Sequence, residues 1–301
     1  MNIEQELAKK LKMGVKKNEP LARYTSWQVG GPADYYLCPV DLDELILIMR
    51  FSKRYKLPVY VIGNGTNMLI LDGGIRGLVL NIGDPFSYIH QHGENLVVGA
   101  GTPVTYLARE AGQKGLTGLE FAVGIPGSVG GAVIMNAGAF GGYIGDKVQS
   151  VKLVTTDVEF KTLAREELNF GYRTSNLSGQ GVIYEVELAL KKGDPAKAHE
   201  KMEHYITERK GRHPHLPSAG SVFRNLPDCP AGRLIDEAGG KGMRIGGAEV
   251  SQKHANFIVN TGKATAADIL ALIEAVIKLV KEKHDVELKP EVKVLGEERK
   301  Q

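Results

Sequence analysis

One short segment of the chain, residues 218–225, combines side chains that could move a proton. Its sequence SAGSVFRN places the Ser221 hydroxyl next to a glycine hinge, with the cation of Arg224 and the amide of Asn225 close behind. Serine alone is a poor acid, so proton transfer here needs a cation or a hydrogen-bond chain that holds the developing alkoxide. The structural alternative is a loop serine whose hydroxyl bonds its own backbone.

Two distant segments supply groups that such a serine would need. Arg173, in the segment GYRTS, carries a planar fork of donors that matches a carboxylate or enolate oxygen, and Glu291 follows Pro290 in the segment LKPEVKVLG. A surface salt bridge and a solvated strand-end carboxylate are the structural alternatives. Together with a glycine-rich region upstream, the three segments predict one redox active site.

The glycine-rich region begins at residues 63–67, GNGTN, directly after a predicted strand. This spacing fits neither the dinucleotide-binding G-x-G-x-x-G turn nor a P-loop. Because Gly63 and Gly65 have no Cβ, successive backbone N–H groups can approach a pyrophosphate closely, although an ordinary tight turn has the same composition.

Two more glycine clusters, at residues 124–132 and 136–142, favour backbone packed around a long, flat ligand. Ser128 and Asn136 would add polar contacts at fixed points, and Pro126 would hold the loop shape without needing a donor. The alternative is a glycine-rich connector that packs on itself.

Hydrophobic periodicity and capping residues predict the elements that position these segments. Helices are expected over the first dozen residues (Ile3, Leu7 and Leu11 on one face), from Asp41 to before Pro58, from Thr102 to Gly112 or Gly115, over residues 195–209, and after Thr265. Strands are expected over residues 59–62, 68–71, 78–82, 151–154, 182–190, 257–259 and 286–294.

Composition narrows the class of protein. The 301 residues exceed the usual single-domain size, and 43% hydrophobic and 24% charged residues are typical of a globular protein. The net charge of +3 does not argue for nucleic acid, and no apolar run approaches the roughly 20 residues that span a bilayer. Cys38 and Cys229 form neither a disulfide framework nor a zinc pattern. We therefore expect a cytoplasmic protein without metal, membrane or nucleic-acid partners.

An ordered set of motifs carries a family resemblance over residues 21–296. The motifs are YTSWQVGGPA at 24–33, GNGTN at 63–67, IPGSVG at 125–130, NAGA at 136–139, YR at 172–173, SAGSVF at 218–223, GGAEV at 246–250 and PE at 290–291. By this set the chain resembles the UDP-N-acetylenolpyruvoylglucosamine reductases, flavoenzymes of bacterial peptidoglycan precursor synthesis. The short spacing between Arg173 and Ser221 resembles the type that lacks an extra tyrosine loop.

The resemblance implies an α+β fold of the vanillyl-alcohol-oxidase (PCMH) type. Two α/β subdomains would surround FAD, at residues 1–84 (with the N-terminal helix) and 85–212, and a substrate domain would follow at residues 213–301. It also implies that NADPH, through non-covalent FAD, reduces UDP-N-acetylglucosamine enolpyruvate to UDP-N-acetylmuramate. No protein partner is expected.

The resemblance also implies roles for individual residues. Ser221 would donate the proton, with Arg173 and Glu291 as the other catalytic residues. Arg209, Arg224 and Asn225 would bind substrate. The residues expected to bind the cofactor are Tyr24, Gly63, Asn64, Gly65, Thr66, Asn67, Ile125, Pro126, Gly127, Ser128, Gly130, Asn136 and Gly138.

Two other functions use the same residues. An oxygen-using oxidase on the same fold would want a base that deprotonates an alcohol, which the set of Ser221, Arg173 and Glu291 suits less well than proton donation. A flavin or nucleotide-sugar binding module without turnover is the non-enzymatic alternative, and the presence of all three residues argues against it.

Overall fold

The computed structural model describes residues 6–7 and 9–299. By internal contacts this part of the chain divides into two compact units. Unit 1 comprises Tyr35–Asn64, Gly77–Arg209 and the described residues up to Lys16, and unit 2 comprises Lys17–Asp34, Gly65–Arg76 and the described residues from Lys210 onward. The domain boundaries predicted after residues 84 and 212 stay predictions.

Six helices and twenty strands are assigned in the described chain. The helices are α1 Leu42–Tyr55, α2 Val104–Gln113, α3 Val129–Ile134, α4 Pro195–Arg212, α5 Ala231–Glu237 and α6 Ala266–His284. The strands are β1 Lys16–Pro20, β2 Pro32–Leu37, β3 Val59–Ile62, β4 Met68–Ile70, β5 Ile75–Asn81, β6 Ile89–His92, β7 Asn95–Gly99, β8 Leu116–Thr117, β9 Gly138–Ala139, β10 Gly142–Tyr143, β11 Val148–Thr155, β12 Phe160–Ala164, β13 Phe170–Gly171, β14 Thr174–Ser175, β15 Gly181–Ala189, β16 Lys191–Lys192, β17 Arg244–Ile245, β18 Ala248–Val250, β19 Ile258–Asn260 and β20 Lys293–Leu295.

Unit 1 is built on a five-stranded antiparallel sheet of order β12-β11-β15-β7-β6. Strand β15 alternates buried and half-buried residues along much of its length, as expected for a strand with one face toward a core. Strands β3 and β5 of unit 1 pair in parallel. One apolar core, from Leu7 to Met202, joins these strands to helices α1 and α2.

Unit 2 packs helices α5 and α6 against short strands around a second core, which includes the fully buried Trp27. Strands β17, β18 and β19 form an antiparallel sheet, and β4 pairs in parallel with β20. The Asp72 carboxylate accepts from Ala266 N at 3.0 Å and from Ala267 N at 2.9 Å, so it satisfies open N–H groups at the start of α6.

The predicted helix caps are confirmed. Asp41 accepts from Glu44 N at 2.9 Å before α1, and Thr265 with Asp268 forms a capping box before α6. Helix α4 runs three residues beyond its predicted end at Arg209. Of the predicted N-terminal helix, Ile3 lies outside the described residues, whereas Leu7 and Leu11 are buried.

The strand predicted over residues 286–294 is wrong, because only Lys293–Leu295 forms one. The preceding residues run through Pro290, which has no N–H for a ladder, and pair only at an isolated bridge. Among the described helices none is both long and apolar enough to cross a bilayer.

Candidate active site

The Ser221 loop belongs to unit 2 and is held by a buried asparagine. Val222 N donates to the Asn256 backbone oxygen at 2.8 Å. The Asn256 side chain accepts from Phe223 N at 2.8 Å and donates to Phe223 O at 2.9 Å. Gly220 makes the preceding turn at φ +76°, in the left-handed region that glycine adopts without steric cost. The backbone on both sides of Ser221 is therefore constrained.

Glu291 lies beside this loop. Its backbone N–H donates to Val222 O at 2.7 Å, and Pro290 pairs with Phe223 in an antiparallel bridge. Since Val222 directly follows Ser221, unit 2 brings two of the three predicted catalytic residues onto adjacent backbone segments, although they are distant in sequence.

The predicted cofactor residue Asn67 borders the Glu291 segment. Asn67 Nδ2 donates to Glu291 O at 3.5 Å, and Asn67 O accepts from Lys293 N at 3.1 Å. The pairing of β4 with β20 continues this contact. The glycine turn at residues 65–67 and the Glu291 segment are therefore adjacent within unit 2.

Gly65 and Tyr24, both predicted to bind the cofactor, pack directly on each other. A Cβ on Gly65 would lie 1.8 Å from Tyr24 O, and Gly65 has φ +60°, so this position requires glycine. The Tyr24 hydroxyl donates to Glu19 at 2.8 Å. Thr66 follows Gly65 and belongs to the same turn.

Arg224 and Asn225, predicted to bind substrate, differ in their surroundings. Asn225 Oδ1 accepts from Ala231 N at 3.0 Å and so caps the start of helix α5. Arg224 N donates to Lys289 O at 2.9 Å, whereas its buried Nε has no hydrogen-bond partner within the described chain. A buried guanidinium N–H without a partner is suited to an oxygen of a bound ligand.

In unit 1, Gly63 and Asn64 follow strand β3, and Gly63 lies against the second glycine cluster. A Cβ on Gly63 would lie 2.2 Å from Ser128 Oγ, and Asn81 Nδ2 donates to Gly63 O at 3.2 Å. Packing against the Ser128 side chain therefore favours a glycine at position 63, independently of any ligand. Two of the predicted cofactor segments meet at this contact.

The second glycine cluster has a backbone held in place by hydrogen bonds. The predicted cofactor residues in the loop and first turn of helix α3 are Ile125, Pro126, Gly127, Ser128 and Gly130. Gly127 O accepts from Val104 N at 3.0 Å, and Gly130 N donates to Ala100 O at 2.9 Å. Ser128 is buried and forms an isolated bridge with Pro103. The loop therefore has a defined shape from its own contacts.

Arg173 occupies the turn between the very short strands β13 and β14. It has φ +55°, in the left-handed region that is costly for a side chain with a Cβ. Its Nη2 donates to Gly138 O at 3.1 Å, and its guanidinium lies 5.2 Å from the centre of the Tyr172 ring. Asn136 Nδ2 donates to Gly171 O at 2.9 Å. The third glycine cluster and the Arg173 turn are thus directly connected.

Arg209, on helix α4, forms a second cation close to Arg173. Burial, and then the positive charge of Arg173, lower the pKa of the Arg209 guanidinium. Its stem packs on Gly124, where a Cβ would lie 2.2 Å from Arg209 Cδ. No ion pair joins Arg209 to a carboxylate in the described parts of the chain. Two close cations, one of them without a carboxylate, favour an anionic ligand.

Each unit by itself offers cationic groups that suit the anionic part of a ligand such as FAD or a nucleotide sugar. Unit 1 offers Arg173 and Arg209 next to a defined glycine loop, and unit 2 offers the buried Arg224 Nε near the Ser221 loop. Within residues 6–7 and 9–299, no group of three or more His, Cys, Asp or Glu side chains could hold a metal ion.

Sequence reasoning missed the asparagine that constrains the Ser221 loop. Asn256 is 2% exposed and stands just before a predicted strand. A buried amide must find hydrogen-bond partners, so its position among apolar residues was a usable signal. Its partner Phe223 lies 33 residues earlier, and no local pattern identifies that partner.

Known protein families match both the N-terminal and the C-terminal part of the chain. Residues 33–164 match a family model described as FAD binding domain, and residues 212–295 match one described as UDP-N-acetylenolpyruvoylglucosamine reductase, C-terminal domain. The reductase of that name from Geobacillus thermodenitrificans is 45% identical over 286 residues, 94% of each chain. The one from Desulforamulus reducens is 44% identical over 300 residues, 99% of each chain.

A solved structure is also similar. The crystal structure of UDP-N-acetylenolpyruvylglucosamine reductase from Thermus caldophilus superposes with a TM-score of 0.81 at 39% identity, covering 94% of this chain and 99% of that one. With the FAD-binding match, it confirms the predicted α+β fold class with an FAD-binding domain. From its full-length similarity to these proteins, the chain belongs to the UDP-N-acetylenolpyruvoylglucosamine reductase family.

Proposed function

We propose that this chain reduces UDP-N-acetylglucosamine enolpyruvate to UDP-N-acetylmuramate with NADPH, through FAD, and that Ser221 donates the proton. The full-length relatives and the FAD-binding domain support the reaction and the cofactor. The observation that carries the proton-donor assignment is the 2.7 Å hydrogen bond from Glu291 N to Val222 O, because it aligns the Glu291 segment with the Ser221 loop.

When bound, FAD would supply the redox chemistry, by accepting hydride from NADPH and passing it to the terminal carbon of the enol. Carbanion character then develops beside the substrate carboxylate. The Ser221 hydroxyl protonates the carbon that bears the carboxylate, not the terminal carbon that received the hydride. The resulting Ser221 alkoxide needs stabilisation by neighbouring donors. Glu291 would hydrogen-bond the enol and help to organise the protonation.

Arg173 orients the substrate by its fork of donors, which matches the carboxylate or the enolate oxygen. Arg209 lies close to Arg173, which supports binding of an anionic substrate group by these two cations. The Nε of Arg224, which has no hydrogen-bond partner among the described residues, supports a second polar contact with the substrate. Asn225 is the third proposed substrate residue, although its Oδ1 also caps helix α5.

The proposed cofactor-binding residues fall into two groups, one in each unit. In unit 1, the contact of Gly63 with Ser128 and the hydrogen bonds of the Ser128 loop support a defined backbone surface that could contact FAD. In unit 2, the packing of Gly65 on Tyr24 supports a second such surface. The proposed set is Tyr24, Gly63, Asn64, Gly65, Thr66, Asn67, Ile125, Pro126, Gly127, Ser128, Gly130 and Gly138. Asn136 was predicted with them, but its side-chain amide bonds Gly145 N and Gly171 O. No histidine lies within residues 63–67, which supports non-covalent attachment.

The proposal extends to organisation and partners. Two FAD-binding subdomains would occupy residues 1–84 and 85–212, and the substrate domain would occupy residues 213–301. Its small ligands would be NADPH and the enolpyruvyl sugar nucleotide, without nucleic-acid, membrane or protein partners. The cytoplasm is the proposed location, because sugar-nucleotide substrate and NADPH would both be supplied there.

Anaerobic stopped-flow absorbance tests the reaction and the role of Ser221 together. NADPH should bleach the flavin absorbance of the purified holoenzyme, and the enolpyruvyl sugar nucleotide should restore it. In Ser221→Ala, bleaching should keep the wild-type rate, whereas recolouring should slow by a factor of roughly 10² or more.

Three outcomes contradict parts of this proposal. Recolouring of the wild type by oxygen alone would favour an oxidase. An equal loss in both half-reactions of Ser221→Ala would remove the proton-donor role, and a protein that stays colourless after FAD addition would exclude a flavin enzyme.

A further inference from the structure

We propose that Asn136 is a positioning residue for Arg173, and that its side-chain amide holds the turn from which Arg173 reaches the substrate. This inference rests on the proposed function, because it takes from it that Arg173 contacts the reacting substrate. It assigns Asn136 a task different from the cofactor contact predicted from its glycine-rich surroundings.

The Arg173 turn cannot hold its own shape. Strands β13 and β14 are two residues each, and such a short two-stranded hairpin is not independently stable. Arg173 is also in the left-handed backbone region at φ +55°. A non-glycine residue keeps such a conformation only where surrounding contacts determine it.

Three of those contacts come from one segment, residues 134–138. Asn136 Nδ2 donates to Gly171 O at 2.9 Å, Ser175 Oγ donates to Ile134 O at 2.7 Å, and Arg173 Nη2 donates to Gly138 O at 3.1 Å. Side-chain hydrogen bonds thus join the segment to both short strands and to the arginine itself.

The Asn136 amide is locked in one orientation. Its side chain is buried, and Oδ1 accepts from Gly145 N at 3.0 Å while Nδ2 donates to Gly171 O. A reversed amide would face a donor toward the Gly145 N–H and an acceptor toward the Gly171 carbonyl. The amide therefore specifies where Gly171 lies, two residues before Arg173.

A small displacement of this turn matters for the reaction. Misplacement of a substrate-orienting group by about 1 Å can cost on the order of 10²-fold in rate. Loss of the Asn136 contact should therefore impair the step in which Arg173 orients the enolpyruvyl group, and leave the earlier reaction of NADPH unaffected.

The test uses the FAD-loaded full chain with Asn136→Asp, which keeps the acceptor for Gly145 N and replaces the donor to Gly171 O by a carboxylate oxygen. Asn176→Asp is the matched control. Asn176 Oδ1 likewise accepts a backbone N–H, from Asn169 at 3.0 Å, and its Nδ2 donates to Glu167 O at 2.8 Å. It follows β14 directly, and its two side-chain bonds go to residues on the other side of the hairpin.

We expect Asn136→Asp to slow recolouring by the enolpyruvyl sugar nucleotide by about 10- to 100-fold. Bleaching by NADPH, the flavin spectrum and the FAD content per chain should match those of wild type. Asn176→Asp should resemble wild type in all four measurements. In an Arg173→Ala background, Asn136→Asp should cause no further slowing, because it acts through Arg173.

Several results would overturn the inference. Loss of FAD, a shifted flavin spectrum or slower bleaching would instead make Asn136 a cofactor contact. Additive slowing in the Arg173→Ala background would show that the effect does not pass through Arg173. Wild-type recolouring by Asn136→Asp would show that the turn does not need this amide.

Ser175→Ala gives an independent and uncharged test if Asn136→Asp does not fold. It removes the bond to Ile134 O and the longer bond, at 3.4 Å, that Leu177 N donates to Ser175 Oγ. It should slow recolouring by about 3- to 10-fold, with bleaching unchanged; an unchanged recolouring rate would refute the positioning of the turn. Failure of the proposed function is distinguishable from all of these, because the wild-type enzyme itself would then not recolour with the sugar nucleotide.

Discussion

Replacing Asn256 with alanine should weaken unit 2 and disable proton donation by Ser221. The substitution removes the two side-chain hydrogen bonds to Phe223 N and Phe223 O, at 2.8 and 2.9 Å. Phe223 is 1% exposed, so water does not readily replace them. Leaving each buried backbone group without a partner costs about 1–3 kcal/mol, so the free energy of unfolding should fall by about 2–6 kcal/mol.

The catalytic effect should exceed what this loss of stability explains. Val222 and Phe223 pair with the Glu291 segment, so a released loop changes the position of Ser221 relative to Glu291. In the folded fraction of Asn256→Ala, recolouring by the sugar nucleotide should slow by at least about 10-fold, whereas NADPH should bleach the flavin at the wild-type rate.

Asn260→Ala provides the matched control within unit 2. Asn260 is also buried, and its side chain donates to Trp27 O at 2.9 Å and accepts from Gly262 N at 2.8 Å. Its loss should reduce stability by a similar amount, measured by denaturant unfolding, but leave recolouring of the folded fraction near wild type. Equal recolouring rates in the two variants would refute the reasoning that Asn256 positions the Ser221 loop.

Two further predictions concern charge. Arg173→Lys should slow recolouring by about 10-fold or more in stopped flow, because an ammonium cannot reproduce the planar fork; near-normal turnover would remove Arg173 from the mechanism. The pKa of His254 is lowered by burial and by the charges of Lys241 and Arg212, and the rings of His213 and Phe257 pack against it. As pH falls, His254 is therefore protonated in the unfolded state at a higher pH than in the folded state. Its contribution to the free energy of unfolding is complete above the ordinary pKa of about 6.5 and is lost as pH falls through the lower folded pKa. His254→Gln should reduce the fall in unfolding free energy between about pH 7.5 and about pH 5.5, and an unchanged fall would show that another group causes it.

Local chemistry made several elements predictable. The caps at Asp41 and Thr265 act within one helical turn, so their sequence spacing was sufficient to place the helices. The residue types of Ser221, Arg173 and Glu291 suggested proton-transfer chemistry, and the family motifs around them suggested their roles, which stay predictions. The motif order also identified the family, because specific short motifs were required in a fixed sequence.

Local patterns were insufficient where contacts with other parts of the chain decide the structure. The β-rich composition of residues 286–294 suggested one strand, but Pro290 interrupts the ladder and only three residues pair with β4. The cofactor contact of Gly63 and Gly65 stays a prediction, and the neighbouring Ser128 Oγ and Tyr24 O give a separate reason why a side chain would not fit at these positions. A glycine in the sequence indicates that a Cβ is excluded, but not what excludes it.

The sequence by itself determined which residue types are available for catalysis, where most helices begin, and which family the chain resembles, because these depend on neighbours a few residues apart or on short motifs. Tertiary structure alone decided that the Glu291 segment pairs next to Ser221 and that Asn136 bonds the Arg173 turn. Those partners lie 35 or more residues apart, and packing of the whole unit, rather than local preference, selects them.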